Sequence, residues 1–184
     1  MRVTKKDCVF QGNYLRVVEK CLETRSGEKH IWETVERTTI GTGGAVVVIA
    51  LTKEREIILE RNWRVPPESF VIQLPAGLCD VAGECEEETA RRELLEETGY
   101  MANKLVPIIV APEDPVLTPT PVSHFLAPDV EFVEEPRSDI AEGIEVLKVP
   151  IIKLGDFFLN LPRDTMLDLR VPGILWILER MKLI

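Results

Sequence analysis

Two histidines and four cysteines are all that this chain of 184 residues offers to zinc or to a histidine-based triad. His30 and His124 stand far apart, and Cys8, Cys21, Cys79 and Cys85 contain no CxxC pair, so neither a zinc finger nor a disulfide-stapled miniature fits. His124 lies in the apolar-flanked stretch SHFLA and is expected in the core or at a strand edge rather than as a base. Cys79 and Cys85 flank one loop and are expected to be plain thiols. Long apolar runs are also missing. The longest, Ala45 to Leu51, falls far short of the ~20 residues that span a bilayer. The opening MRVTKKDCVF has no apolar core of the signal-peptide kind, which makes a cytoplasmic protein the expectation. Positive charge is scarce as well: the net charge is −9 and no basic patch interrupts it, so a nucleic-acid polymer would meet repulsion. No repeat or low-complexity tract appears, and 45% hydrophobic content suits one domain with a short extra element.

What the chain does have is a stretch of concentrated carboxylates, LPAGLCDVAGECEEETARRELLEETGY, from Leu74 to Tyr100. On a helix, Glu93, Glu96 and Glu97 project within an arc of roughly 100°. Each like-charge pair at that spacing costs an isolated helix about 0.2–0.5 kcal/mol, so a positive partner is expected, most simply a divalent cation. Arg92 stands four residues before Glu96 and can steady it. Ala90, Leu94 and Thr98 form a packing stripe beside the acidic one, and Gly99 supplies a left-handed stop.

Glu84, seven residues, then Arg92-Glu93-Leu94-Leu95-Glu96-Glu97-Thr98-Gly99-Tyr100 resembles the Nudix box, the loop-helix motif of hydrolases that cleave nucleoside diphosphates linked to another moiety. The pattern has five residues between its Gly and first Glu. Here six separate Gly77 from Glu84, an insertion ahead of the helix that leaves the helical spacing untouched. The resemblance implies Mg2+, with Mn2+ as the alternative, held by Glu93, Glu97, Glu96 and the carbonyl of Ala76. All-oxygen sites suit such hard cations. It further implies an orienting role for Arg92, support from Glu84, and substrate contact at the Ala76-Gly77 backbone.

Over most of its length the chain is similar to the ADP-ribose pyrophosphatase branch: an N-terminal YLRV segment, ERNWR at a strand end, LPAG at the loop, and Pro115 fifteen residues beyond the box. That branch continues Pro-Gly and then an acidic residue, where this chain has Val116 and Thr120. The resemblance implies Arg64 as a phosphate clamp, with Trp32 and Arg37 as contributors to an adenine pocket across a homodimer interface. It also places a further carboxylate on a late loop, best matched by Glu142, with Glu145 and Asp139 as alternatives. Glu142 and Glu96 are thereby candidates for catalysis, and Glu142 also for the metal. With no activated Ser or Cys, the nucleophile is expected to be water. Two alternatives stay open, a UDP- or GDP-sugar pyrophosphatase and a non-catalytic nucleotide-sensing module.

Alternation in YLRVVEKCLET and KHIWETVERTT around Ser26-Gly27 predicts a β-hairpin. AVVVIAL, IILERNW, FVIQ, LVPIIVA, PVSHFLA and GIEVLKVP read as strands, IIKLGDFFLN as a short helix. Val171, Ile174, Leu175, Leu178 and Met181 mark an amphipathic terminal helix. The expected fold is α/β: an α/β/α sandwich with a mixed sheet (residues 44–184) preceded by an N-terminal antiparallel β-hairpin or small sheet (residues 1–43) used in dimerisation.

Overall fold

The computed structural model describes residues 1–38, 44–137, 143–182 and 184. Its centre is the strand β4 (Ala45–Ala50), a run of apolar residues with both faces covered. Because side chains alternate along a strand, Val46, Val48 and Ala50 join one apolar cluster and Val47, Ile49 and Leu51 another. The first cluster holds Ala90 and Leu94 of helix α1 (Glu86–Thr98). The second holds Val171, Ile174, Leu175 and Leu178 of helix α3 (Arg170–Arg180). Helices therefore cover strands from both sides, the expected layered arrangement. At about 1.5–3 kcal/mol per fully buried aliphatic side chain, these two clusters are the main stabilising contribution.

Two mixed four-stranded sheets make up the middle. In one, β4 runs parallel to β10 (Thr118–Ala127) and antiparallel to the short β7 (Ala76–Leu78), and β9 (Val106–Asp114) closes the far edge. In the other, β5 (Glu56–Arg64) lies between β12 (Glu145–Pro150) and β6 (Ser69–Gln73), with β13 (Thr165–Leu167) parallel to β6.

The N-terminal extension takes the small-sheet form of the two expected. It is a three-stranded antiparallel sheet of β1 (Arg2–Gln11), β2 (Leu15–Glu23) and β3 (Lys29–Arg37). β1 is exposed along its whole length, so the alternation that marks a half-buried strand carries no burial signal there. The predicted late helix is split into a 3-10 turn (Ile151–Lys153) and α2 (Leu154–Leu159). β13 and the two-residue pair β8 (Tyr100–Met101) and β11 (Glu131–Phe132) are too short to show a period in the sequence. His124 is buried on β10, and Cys79 is buried while Cys85 is exposed. No helix among the described residues is long and apolar enough to cross a membrane.

Candidate active site

Local signals set both ends of α1. Cys85 is the N-cap residue, and its backbone N–H donates to Glu88 Oε2 at 2.8 Å, closing the first turn. Glu86, Glu87 and Glu88 crowd that turn, where the helix dipole favours negative charge. At the other end Gly99 adopts φ 75°, and its N–H donates to the Leu95 carbonyl at 2.8 Å. A Cβ there would lie 1.9 Å from the Glu134 carbonyl oxygen, so both conformation and space require glycine.

The acidic face is held by one guanidinium. Arg92 donates from Nε to Glu84 at 3.1 Å, and from Nη1 to Glu93 Oε1 at 2.8 Å and to Glu96 Oε2 at 3.1 Å. Burial works against its charge, yet the surrounding carboxylates raise its pKa further, so Arg92 is a permanent cation. Thr89 Oγ1 donates to the second oxygen of Glu84 at 3.0 Å. Arg92 thus links Glu84, Glu93 and Glu96 in one hydrogen-bonded network.

Glu97 lies outside this grip. It is buried, accepts a hydrogen bond from the Ala76 backbone N–H at 3.0 Å, and meets the side chain of Glu60 from β5. Desolvation first, then the charge of Glu60, drives its pKa well above the carboxylate range. Glu93 is raised as well, chiefly by burial. Gly77 leaves room for it: a Cβ at that position would stand 2.0 Å from Glu93 Cδ. The extra loop residue lies beyond this contact, and the Ala76-Gly77 backbone stays in β7, packed on α1.

Glu93, Glu96 and Glu97 open into a cleft of about 940 Å³ lined also by Ala76, Gly77, Gln73 and Asn62. Four arginines reach the same cleft: Arg37, Arg64, Arg137 and Arg170. Arg64 Nε donates to Gln73 Oε1 at 2.8 Å, and Gln73 Nε2 donates to Glu60 Oε2 at 3.0 Å. Arg37 pairs with Glu113 at 3.3 Å. Arg170 donates from Nε to Asp168 Oδ2 at 2.9 Å, and its own charge keeps that carboxyl below its usual range against the effect of burial. The cleft is therefore polarised: acidic groups along α1, and guanidinium groups braced by their own acceptors. Such a surface can take a phosphate-bearing ligand together with a cation.

The predicted residues divide accordingly. Arg37, Arg64, Ala76, Gly77, Glu93, Glu96 and Glu97 meet in the cleft, with Arg92 directly behind. Trp32 does not line it in its own chain. Its indole N–H donates to the Val116 carbonyl at 3.2 Å, and the ring is half exposed beside Pro115. Glu142 and Asp139 lie outside the described residues, and Glu145 is exposed on β12, 3.4 Å from Arg61. Among the described residues no three Asp, Glu, His or Cys side chains converge with metal-ligating geometry. Arg92 holds Glu93 and Glu96, while Ala76 and Glu60 hold Glu97. The donor set nevertheless suits a hard cation: it is all oxygen and partly desolvated, and burial raises the pKa of both Glu93 and Glu97.

Glu60, Gln73, Glu113, Arg137, Asp168 and Arg170 were missed in the sequence. For Glu60 a signal existed, a carboxylate inside the apolar run IILERNW that is fully buried. Thr120, in the segment where the branch carries its acidic residue, is buried on β10, and the acid that reaches the cleft from this hairpin is Glu113, before Pro115.

Comparison with known proteins agrees with the motif. The family model described as NUDIX domain matches residues 41–164. The chain is 35% identical over 147 residues to an ADP-ribose pyrophosphatase of Bacillus subtilis (strain 168), covering 79% of this chain and 76% of that one. It is 37% identical over 162 residues to an ADP-ribose pyrophosphatase of Saccharomyces cerevisiae, covering 81% and 70%. A GDP-mannose pyrophosphatase of Cronobacter sakazakii is 26% identical over 159 residues, covering 81% and 78%. A crystal structure described as an ADP compounds hydrolase superposes with a TM-score of 0.80 at 22% identity, covering 98% of this chain and 92% of that one, and so shares the fold.

Proposed function

The chain belongs to the Nudix family, and we propose that it hydrolyses ADP-ribose to AMP and ribose 5-phosphate with the help of Mg2+. The observation that carries this reading is the meeting, in one cleft, of three α1 carboxylates and four arginines. A dianionic diphosphate needs both: guanidinium groups to grip its oxygens, and a cation between it and the glutamates.

Glu93, Glu96, Glu97 and the Ala76 carbonyl would hold the cation. Its contribution is to screen the diphosphate and to make a water more acidic. The remaining tasks fall to side chains. Arg92 fixes the directions of Glu93 and Glu96 through its three-way grip. Arg64 binds the phosphate end, and Arg37 contributes at the nucleoside side. Water adds to one phosphorus as the bridging P–O bond breaks. One proton of that water goes to a carboxylate, which we assign to Glu142, shortly before β12 in the sequence. Glu96, half exposed and bound to Arg92, is the alternative base.

Trp32, facing away from its own chain's cleft, is assigned to the adenine pocket of a second copy, in a homodimer formed through the N-terminal sheet. Exposed Val3, Val9, Phe10, Ile31 and Trp32 on that sheet support this assignment.

A second reading, a nucleotide-sugar pyrophosphatase acting on UDP- or GDP-linked sugars, is favoured by Val116 and Thr120 at the segment where the branch carries Gly and an acid. A non-catalytic sensor is disfavoured, because the box keeps Arg92, Glu93, Glu96 and Glu97 in mutual contact or in one cleft. Incubation with Mg2+ and a panel of ADP-ribose, UDP- and GDP-sugars, diadenosine polyphosphates and NADH tests all three. Highest kcat/KM on ADP-ribose is expected. Faster turnover of a UDP- or GDP-sugar would select the second reading, and no turnover of any member by folded protein would overturn the enzyme assignment.

A further inference from the structure

We propose that Gln73 is the positioning residue that sets Arg64 for phosphate binding, by suspending its guanidinium from the buried carboxylate of Glu60. The inference rests on the reading of Arg64 as a substrate grip. Glu60 and Gln73 are direct partners across the antiparallel β5–β6 pair, and both are buried, at 0% and 4% exposure. Cross-strand neighbours of this kind stay in contact without the freedom of a surface pair.

The chemistry of the three groups allows one arrangement. A guanidinium only donates and the Glu60 oxygen that faces Gln73 accepts, so the residue between them must accept on one side and donate on the other. Among side chains of this length the carboxamide does so, and the distances place its oxygen on Arg64 Nε (2.8 Å) and its nitrogen on Glu60 Oε2 (3.0 Å). Using Nε for the internal bond leaves the two terminal guanidinium nitrogens, a parallel fork, for phosphate oxygens in the cleft that Arg64 and Gln73 both line. A free arginine would have to lose rotamer freedom on binding; here that ordering is already done by a side chain anchored in the sheet.

The relay predicts non-additivity. Arg64→Ala should weaken the binding of α,β-methylene ADP-ribose, a substrate analogue that is not cleaved, by about 10- to 100-fold in the presence of Mg2+. Gln73→Met, similar in length and shape but unable to bond either neighbour, should weaken it by about tenfold, and should raise KM for ADP-ribose more than it lowers kcat. In the Arg64→Ala background the same Met substitution should cost less than about twofold, because the residue it acts through is gone. Calorimetric titration of the four proteins reads these numbers directly. If Gln73→Met does not fold, Gln73→Asn, too short to span both partners, goes through the same cycle. Equal losses with and without Arg64, or no loss on altering Gln73, would overturn the relay while leaving the substrate reading intact. No effect of Arg64→Ala itself would overturn the reading of Arg64 as a grip and the relay with it, and no binding by the wild type would overturn the substrate reading.

Discussion

Replacing Gly77 by alanine should separate activity from stability. The added Cβ would stand 2.0 Å from Glu93 Cδ and 2.3 Å from its Cγ and Oε1, where carbon atoms in contact sit at roughly 3.5–4.0 Å. Something must move by about 1.5 Å, and the obstacle is the outer part of one side chain rather than backbone. Glu93 therefore swings aside and gives up its 2.8 Å bond from Arg92, while the sheet and helix stay in place. Overpacking costs about 1–3 kcal/mol, and relief by one flexible side chain puts this case near the lower end. For a chain of this size that lowers Tm by about 2–4 °C. Activity should suffer more, since about 1 Å of misplacement of a group at the reacting centre costs on the order of 100-fold in rate. The assay is ADP-ribose turnover at saturating Mg2+ beside a calorimetric melt. Activity within about threefold of wild type, with Glu93 displaced in a crystal structure, would refute the role given to that carboxylate. A loss of activity matched by global unfolding would refute the claim that Gly77 serves the site rather than the fold.

Other expectations follow from the same geometry. Glu97→Gln should remove most activity yet stabilise the protein in chelator. Because burial and Glu60 raise the folded pKa of Glu97 above its ordinary 4.5, its favourable contribution is present below that pH and is lost as pH rises through the folded value, so the variant's Tm advantage should grow from pH 5 to pH 8 in thermal melts. An advantage that shrinks with pH would contradict this sign. Gly99→Ala should cost at least about 2 kcal/mol, measured by denaturant unfolding, since it combines a left-handed backbone with a clash against the Glu134 carbonyl. An unchanged midpoint would show that the cap relaxes freely. Light scattering should give a homodimer that removal of residues 1–37 converts to a monomer; a monomeric full chain would remove Trp32 from the adenine pocket.

The parts of this structure legible in the sequence are those whose causes are local. α1 could be read because its apolar stripe, its acidic face and the Gly99 stop all lie within one stretch, and β4 because an apolar run of that length needs cover on both sides. Glu93, Glu96 and Glu97, which line the cleft, stand at fixed offsets in one motif, and Arg64, which lines it too, ends the ERNWR segment. The residues missed are defined by long-range folding. Arg170 enters the cleft from the C-terminal helix, and Glu113 from a hairpin edge, so their neighbours in sequence give no hint of their neighbours in space. Glu60 falls between these cases. A charged residue amid Ile57, Ile58 and Leu59 is conspicuous, but that it meets Glu97 follows only from how β5 and α1 pack in the folded chain. Trp32 shows the opposite limit: correspondence with relatives pointed to a nucleobase, whereas within one chain the indole is bonded to Val116.

Manganese titration followed by electron paramagnetic resonance tests the account at its centre, because it counts cations bound by these carboxylates without requiring turnover. Wild-type protein should deplete the free Mn2+ signal, more strongly with the methylene analogue present, and the Glu93→Gln/Glu97→Gln double variant, still folded by circular dichroism, should not. Undiminished free Mn2+ with the wild type, or equal uptake by the double variant, would contradict the assignment of the α1 face as a cation site.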